Sequence, residues 1–158
     1  MAAKKTNAAR ILDRLGIQYD IVEYQVDEDD LSATHVAETV GQSPDIIFKT
    51  LVARGEKNGI VVFVIPGGDE LNLKAAAQVM GDKKVAMIQV KELLPLTGYI
   101  RGGCSPFGMK KNFPTYIHDS VLTHSHVYVS AGVRGMQLVV NPHDLIRATD
   151  ATTYNLID

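Results

Sequence analysis

The sequence has few of the features expected of a secreted or membrane protein. Its one cysteine, Cys104, excludes an internal disulfide and a cysteine-rich zinc site, and agrees with a reducing compartment. No apolar run approaches the roughly 20 residues of a membrane span. The N-terminal residues 1–7 are not followed by the apolar core of a signal peptide. We therefore expect a cytoplasmic protein without membrane association.

An excess of either charge is also missing, since 16 Lys and Arg residues oppose 18 Asp and Glu residues. This balance argues against a generic nucleic-acid binder. The charges are unevenly divided, however, with 7 basic and 12 acidic residues in 1–70 and 9 basic and 6 acidic residues in 71–158. An acidic half and a basic half indicate a local phosphate-binding face. We interpret the acidic run 27–30 as a solvated loop.

The chain has no repeat, low-complexity segment or long linker, so its 158 residues predict one domain that spans 1–158. Helices are predicted after Thr6 (with Ala8, Ile11, Leu12 and Leu15 inward), after Ser32 or Thr34, and at 73–80, 90–96 and 142–148. Strands are predicted at 19–26, 46–53, 60–65, 84–88, 115–118, 127–130 and 136–140, the second and third being antiparallel. Because strands outnumber helices without strict alternation, we expect an α/β fold with a mixed, partly closed sheet or barrel flanked by helices.

A glycine-rich segment, 99–111, combines a flexible backbone with the cationic side chains of Arg101, Lys110 and Lys111. Glycines let the main chain approach a ligand closely, so that amide N–H groups converge on an oxygen atom. A second glycine turn at 129–135 carries Arg134. The two segments favour a loop that wraps around a ligand bearing phosphate or carbonyl groups.

Lys49 is the most unusual charged residue, because the predicted strand 46–53 is otherwise apolar except for Thr50. A strand with that composition is expected to be central. Lysine is rarely buried without a partner, so Lys49 either points into a polar cavity or neutralises an acidic residue. The alternative is a lysine that extends from a sheet edge into water. The sequence leaves these interpretations open.

Several short motifs occur together in an order and spacing that resemble one protein family. They are Phe48-Lys49-Thr50-Leu51, Leu71-Asn72-Leu73-Lys74, Thr97-Gly98-Tyr99, the loop 102–108 with Lys110-Lys111, and the segment 128–135. The chain is similar to the YbaK/EbsC family from about Asn7 to Ala148. That family belongs to a superfamily of aminoacyl-tRNA deacylases, which includes the editing domain inserted in bacterial prolyl-tRNA synthetases.

The resemblance implies a trans-editing enzyme without a cofactor that removes cysteine from mischarged Cys-tRNA(Pro), with Cys-tRNA(Cys) as a further substrate. In cysteine-specific members the substrate thiolate attacks its own ester carbonyl, which releases a thiolactone and free tRNA. The resemblance also implies two partners, the 3′ end of an aminoacyl-tRNA and prolyl-tRNA synthetase. The site residues that it implies are Lys49, Gly102 and Gly103 for catalysis and Tyr24, Thr50, Ser105, Ser130 and Arg134 for substrate binding.

Three departures from the family pattern leave the preferred amino acid open. Ser32 stands near a position where we expect an aromatic pocket residue. The second glycine turn reads Ser130-Ala131-Gly132-Val133-Arg134 where familiar members have paired glycines and a lysine, and Gln137 stands at a position that is acidic in some members. A cavity altered at these points can prefer another small amino acid, such as alanine on tRNA(Pro).

The same residues allow other interpretations. Cys104 can be a thiol nucleophile activated by nearby cations, but we prefer a small apolar filler. His124 and His126 can share a strand face, yet they lack a third ligand at a known spacing, so we expect no metal site. A non-catalytic module that binds tRNA or a synthetase is the alternative from another functional class, and a closed cavity around Lys49 would argue against it.

Overall fold

The computed structural model describes residues 5–157, which form five α-helices, eight β-strands and a short 3-10 helix. The helices are α1 (Asn7–Arg14), α2 (Ala33–Val40), α3 (Leu73–Met80), α4 (Val90–Thr97) and α5 (Pro142–Thr149), with the 3-10 helix at Asp119–Thr123. The strands are β1 (Tyr19–Glu23), β2 (Phe48–Gly55), β3 (Gly59–Pro66), β4 (Val85–Met87), β5 (Thr115–His118), β6 (Val127–Ser130), β7 (Met136–Val140) and β8 (Thr152–Tyr154). None of the helices within 5–157 is both long enough and apolar enough to cross a membrane.

Two open sheets form the framework of the molecule. The smaller sheet has the order β1-β7-β6 and is antiparallel throughout. The larger sheet has the order β4-β2-β3-β5-β8, and its β3–β5 and β5–β8 pairs are parallel. A bridge between Ile47 and Tyr128 connects the two sheets. The predicted mixed α/β fold and the antiparallel pairing of β2 with β3 are confirmed, although the sheets do not close into a barrel.

The main hydrophobic core joins the two sheets to α1 and α5. It includes Phe48 and Val64 from the larger sheet, Leu138 from the smaller one, and Leu12 and Leu145 from the helices. The other face of β2 and β3 packs against α3 through a second cluster. Because β3 is covered on both faces, its sequence is a continuous apolar run rather than an alternating one.

Local sequence signals set the start of α2, which forms one wall of the site. The Ser32 hydroxyl accepts a hydrogen bond from the His35 N–H at 3.3 Å and caps the helix. The helix ends at Gly41, whose φ of 73° is a left-handed conformation that glycine adopts without strain. The predicted second helix is therefore confirmed, with Ser32 as its cap.

Two details of the predicted elements were wrong. Leu15 is 44% exposed instead of facing inward, because α1 ends at Arg14 and Leu15 only caps it. The first strand ends at Glu23 instead of residue 26. Its partner β7 begins at Met136, after the glycine turn, so β1 has no further ladder to follow. Tyr24 adds one last backbone bond, from its N–H to the Gly135 carbonyl at 3.0 Å.

Candidate functional site

A cavity of about 380 Å³ lies along one edge of β2. Its volume is near the lower end of the range of about 300–1,000 Å³ found for small-molecule sites. The consecutive β2 residues from Phe48 to Val52 all line it. Since alternate side chains of a strand point to opposite faces, a consecutive run can line one cavity only along the strand's edge. That edge is open because β4 pairs with β2 only from Ala53 to Gly55.

The open edge also presents backbone groups to the cavity. The Ile88 N–H donates to the Val52 carbonyl at 3.3 Å, so the backbone groups of Val52 point toward the β4 side. In an antiparallel ladder these directions alternate from residue to residue, so the N–H and carbonyl of Thr50 point to the same side. Thr50 lies beyond the end of β4 and has no strand neighbour there. Its hydroxyl oxygen, Oγ1, is buried and has no hydrogen-bond partner among residues 5–157.

Lys49 is partly buried at the cavity wall, as one of the two interpretations of the sequence predicts. Its ammonium donates to the Gly67 carbonyl at 3.3 Å, and this is its one hydrogen bond within the described residues. Burial lowers the pKa of Lys49, while the charges of Glu70 and Asp69 oppose that shift. Because an ammonium has three N–H donors, Lys49 keeps two for a ligand.

The two glycines of the loop differ in what they can do. Gly102 lines the cavity with a φ of 82°, and its N–H has no acceptor within residues 5–157. The Gly103 N–H instead donates to the Ile100 carbonyl at 2.9 Å, and a Cβ on Gly103 would lie 3.2 Å from backbone atoms of Val133 and Arg134. Gly103 therefore permits close packing of the two glycine turns. Of the two amides, only that of Gly102 therefore lacks an acceptor within residues 5–157.

The cavity brings together half of the sequence-predicted site residues. Lys49, Thr50, Gly102 and Ser130 line it. The Ser130 hydroxyl oxygen accepts a hydrogen bond from the Gly132 N–H at 3.1 Å, which leaves the hydroxyl proton available to donate. Arg101 also lines the cavity and is exposed to solvent, so it supplies a cation at the mouth.

The structure places the other predicted residues outside this cavity. Ser105 is fully buried, and its hydroxyl oxygen accepts from the Phe107 N–H at 3.3 Å. Tyr24 and Arg134 line a small neighbouring cleft, which shares Gly102 with the main cavity. Gly103 packs behind the loop, as described above. Ser105 and Gly103 therefore support the loop from behind, and Tyr24 and Arg134 flank the cavity.

Arg134 joins two loops at the edge of the cavity. Its Nε donates to the Arg101 carbonyl at 2.9 Å, and its Nη1 donates to the Glu28 carboxylate at 2.7 Å. Glu28 belongs to the acidic run 27–30, which is exposed to solvent as predicted. Both contacts occupy N–H groups that the sequence interpretation assigned to substrate. The immediate effect of Arg134 is to fix the glycine loop against the acidic loop.

Cys104 has the properties of a small apolar residue in the cavity wall. It is 9% exposed, and burial raises the pKa of its thiol to about 12. A thiol with that pKa is protonated at neutral pH and is a poor nucleophile. His124 packs edge-on against Phe48 with ring centroids 6.3 Å apart. Over residues 5–157, no group of three or more His, Cys, Asp or Glu side chains is arranged to hold a metal ion.

Two contributions to the cavity were not among the predicted site residues, although Gln137 stood out as a departure from the family pattern. Gln137 is 5% exposed and lines the cavity, and its side-chain oxygen Oε1 is buried without a partner in the described part of the chain. The signal was a polar residue within the otherwise apolar strand 136–140. An apolar wall comes from Met87, Val90 and Leu93 at the junction of β4 with α4. No local pattern links that junction to Lys49, because only the fold brings them together.

The fold and sequence of this chain match known proteins over most of its length. Residues 27–148 match the family model of the aminoacyl-tRNA editing domain. EbsC of Enterococcus faecalis, provisionally named a Cys-tRNA(Pro)/Cys-tRNA(Cys) deacylase, is 49% identical over 147 residues, which cover 93% of this chain and 90% of EbsC. One crystal structure, provisionally described as a trans-editing enzyme for prolyl tRNA synthetase, is 26% identical with a TM-score of 0.83, covering 98% of this chain and 99% of that one. A hypothetical protein of known structure is 25% identical with a TM-score of 0.86, covering 94% and 97%.

Proposed function

Because this chain belongs to the family of aminoacyl-tRNA editing domains, we propose that it removes cysteine from mischarged Cys-tRNA(Pro), with Cys-tRNA(Cys) as a second substrate. The reaction cleaves the ester between the amino acid and the 3′-terminal ribose of the tRNA. The observation that carries the proposal is the cavity at the open edge of β2, which Lys49 and Gly102 both line and whose lining over residues 5–157 has no acidic or histidine side chain.

The composition of the cavity lining favours a reaction in which the substrate supplies its own nucleophile. A hydrolase of the usual kind activates water or a side chain with a base, which is most often histidine or a carboxylate. The lining residues include neither, and the Cys104 thiol has its pKa raised to about 12 by burial. A cysteinyl ester carries a thiol that can reach its own carbonyl. Holding these two groups in position can lower the barrier by about 7–11 kcal/mol.

The proposed reaction is an intramolecular acyl transfer. The substrate thiol loses its proton, and its sulfur attacks the ester carbonyl carbon to form a tetrahedral oxyanion. The carbon–oxygen bond to the ribose then breaks, the ribose oxygen takes up a proton, and cysteine leaves as a four-membered thiolactone. No external oxidant, reductant or metal enters this balance.

Lys49 and Gly102 have distinct roles in this proposal. The Lys49 ammonium has two N–H groups to spare, and it polarises the ester carbonyl or anchors the terminal ribose or phosphate. The unpaired Gly102 N–H donates to the developing oxyanion. A single donor to an oxyanion contributes about 2.7–4 kcal/mol to transition-state stabilisation. Arg101 at the mouth is suited to a phosphate of the tRNA 3′ end.

Deacylation of three tRNA esters tests the proposal. Cys-tRNA(Pro), Ala-tRNA(Pro) and Pro-tRNA(Pro) are incubated with the protein, and the released amino-acid product is trapped and identified. We expect rapid loss of cysteine as the thiolactone and slow loss of alanine and proline. Preferential loss of alanine would replace this proposal with a water-dependent deacylase. If the protein cleaves none of the three esters, the non-catalytic module that binds tRNA becomes the better explanation.

We further propose that prolyl-tRNA synthetase presents the substrate to this protein. A small protein with a net charge of −2 gains little from nonspecific attraction to tRNA, so a carrier would raise the local concentration of the ester. The solved relative described as a trans-editing enzyme for that synthetase supports the choice of partner. Co-migration of the two proteins with tRNA(Pro) in native gels is expected, and failure to co-migrate would refute the partnership. A cytoplasmic location and a single editing domain over 1–158 remain predictions.

A further inference from the structure

Gly67, the first residue after β3, supplies the acceptor for the Lys49 ammonium at the cavity wall. Its own N–H donates to the Ile47 carbonyl at 2.6 Å and to the Pro44 carbonyl at 3.2 Å. Ile47 directly precedes β2, the strand that carries Lys49. Gly67 is therefore fixed to the segment that leads into this strand, and its carbonyl remains available to the ammonium.

Lack of space, and not backbone conformation, requires glycine at position 67. The φ of Gly67 lies outside the left-handed range that favours glycine. A Cβ at this position would lie 2.8 Å from the Ala33 Cβ and 3.0 Å from the Ile47 carbonyl oxygen. Ala33 begins α2 and lines the same cavity. A methyl group on residue 67 must therefore push the loop away from both β2 and α2.

The Gly67 carbonyl orients Lys49 without neutralising it. Within residues 5–157, no Asp or Glu oxygen lies within 4.0 Å of the Lys49 ammonium, and no carboxylate lines the cavity. An ion pair would hold the ammonium equally well, but it would oppose the charge that acts on an ester oxygen. A neutral carbonyl takes up one N–H and leaves the positive charge and two N–H groups for a substrate.

The charged and titratable groups around Lys49 come from two loops. Burial lowers the pKa of Lys49, and the charges of Glu70 and Asp69, which follow Gly67 in the chain, oppose this shift. Arg101 and Cys104 of the glycine loop also line the cavity. Arg101 is cationic, and the Cys104 thiol is protonated at neutral pH because burial raises its pKa to about 12. These groups are unchanged by a substitution at Gly67.

We propose that Gly67 is a positioning residue, whose carbonyl directs the Lys49 ammonium toward the reacting ester. This inference rests on the proposed function and adds to it the loop after β3, which does not touch the substrate in this account. A misplacement of about 1 Å at a reacting group can cost about 10²-fold in rate. Displacement of the Gly67 carbonyl should therefore slow the reaction, and it should do so only through Lys49.

Kinetics of single and double variants test this dependence. Gly67→Ala should lower kcat/KM for Cys-tRNA(Pro) by about 10–100-fold. Gly68→Ala, in the same loop, meets only the Pro44 Cβ at 3.3 Å and is the matched control, with activity near that of the wild type. In a Lys49→Met background, Gly67→Ala should lower the remaining activity by no more than about twofold, because no ammonium is left to position.

Two kinetic results would overturn the proposal. Wild-type activity of Gly67→Ala would show that the carbonyl is not needed. Equal fold losses with Lys49 and with Met at position 49 would show that Gly67 supports the fold and does not act through Lys49. If Gly67→Ala does not fold, the comparison is made with Ala33→Gly added, which removes the methyl group 2.8 Å away and retains the closeness to the Ile47 carbonyl.

The pKa of Lys49 separates failure of this inference from failure of the proposed function, because its measurement needs no ester. Carbon-13 NMR of lysines labelled at Cε gives the pKa, and the Lys49 signal is the one missing from Lys49→Met. A hydrogen bond to the charged form favours that form, so its loss in Gly67→Ala should lower the pKa, whereas Gly68→Ala should not change it.

The NMR and deacylation results are then read together. If the protein cleaves no ester but the Lys49 pKa falls in Gly67→Ala alone, the contact between Gly67 and Lys49 stands and the reaction does not. An unchanged Lys49 pKa in Gly67→Ala, in a protein that deacylates Cys-tRNA(Pro), would reject the positioning role and keep the reaction.

Discussion

The floor and the rim of the cavity are built in contrasting ways. The floor is the segment Lys49–Val52 of β2, which pairs residue by residue with β3 and is packed on both faces. The rim is the loop Arg101–Gly103 together with Glu28 and Arg134. A few contacts hold it, and the Arg134–Glu28 ion pair joins side chains that are 29% and 68% exposed. Sheet pairing makes the floor the more rigid region, whereas the rim can open at a smaller free-energy cost.

This contrast assigns different tasks to the two regions. The floor holds the Lys49 cation, whose position must be accurate because reaction rates depend on small displacements. The rim carries the Gly102 amide and Arg101, which a tRNA end must pass or contact. Changes in the floor should therefore alter the chemical step, and changes in the rim should alter substrate binding and loop stability.

Removal of the floor cation should have the largest effect. Lys49→Met takes away a donor at the reacting ester, and we expect kcat/KM for Cys-tRNA(Pro) to fall by about 10²–10³-fold. Stability should not fall, because burial already lowers the pKa of Lys49 and disfavours its charged form in the folded state. Deacylation kinetics and urea unfolding measure the two effects. Lys57→Met, at the exposed turn of the same strand pair, is the matched control.

Full activity of Lys49→Met would show that Lys49 takes no part in the reaction. The pH dependence of the unfolding free energy provides a second test. A lysine whose pKa is lower in the folded than in the unfolded state disfavours folding while it is charged, so this penalty decreases as pH rises through the folded-state pKa. The stability difference between Lys49→Met and wild type should therefore shrink at alkaline pH.

The strand of the floor and the residues of the rim could be singled out from the sequence, but the contacts of the rim could not be predicted. An apolar strand interrupted by Lys49 and Thr50 is a local pattern, which marks this strand but leaves open whether Lys49 faces a cavity or extends from a sheet edge. The Arg134–Glu28 pair joins positions 106 residues apart, and no periodicity connects them. The hydrogen bond that occupies the Gly103 amide depends on the conformation of one turn. Such contacts arise from tertiary packing and leave little trace in composition or spacing.

The substitution Gly103→Ala, which adds a methyl group in the rim, should have the second largest effect. Gly103→Ala places a methyl group 3.2 Å from backbone atoms of Val133 and Arg134, so the two glycine turns must separate. We expect a loss of about 1–3 kcal/mol in unfolding free energy, with KM raised more than kcat is lowered. Gly68→Ala meets only the Pro44 Cβ at 3.3 Å and serves as the control. A change in kcat alone would mean that Gly103 acts in the chemical step.

A smaller effect is expected from the ion pair across the rim. Exposed pairs contribute about 0.2–1 kcal/mol, so a double-mutant cycle of Glu28→Gln and Arg134→Gln should give a coupling energy in that range. The coupling should weaken at high salt because solvent-exposed charges are screened. Urea unfolding at two salt concentrations measures it. A coupling energy that does not change with salt would contradict an exposed electrostatic contact. It would indicate instead that the rim is held nearly as rigidly as the floor.

The smallest effect should come from Cys104, which lies in the wall between floor and rim. Cys104→Ala should retain most of the deacylase activity, because a thiol with its pKa raised to about 12 supplies no thiolate at neutral pH.

The raised pKa of the Cys104 thiol also predicts a measurable change in stability at alkaline pH. The unfolded chain loses this thiol proton near pH 9.0 and the folded chain only near 12, so wild-type stability falls as pH rises above 9.0. Cys104→Ala removes that loss. The two unfolding curves should therefore converge between pH 9 and 10, before Tyr99, whose own pKa rises from 10.0 to about 12, adds its contribution in both proteins. A stability difference between wild type and Cys104→Ala that stays constant from pH 7 to 10 would mean that the thiol is exposed to solvent and not buried in the cavity wall. Loss of deacylation in Cys104→Ala would instead identify Cys104 as the nucleophile.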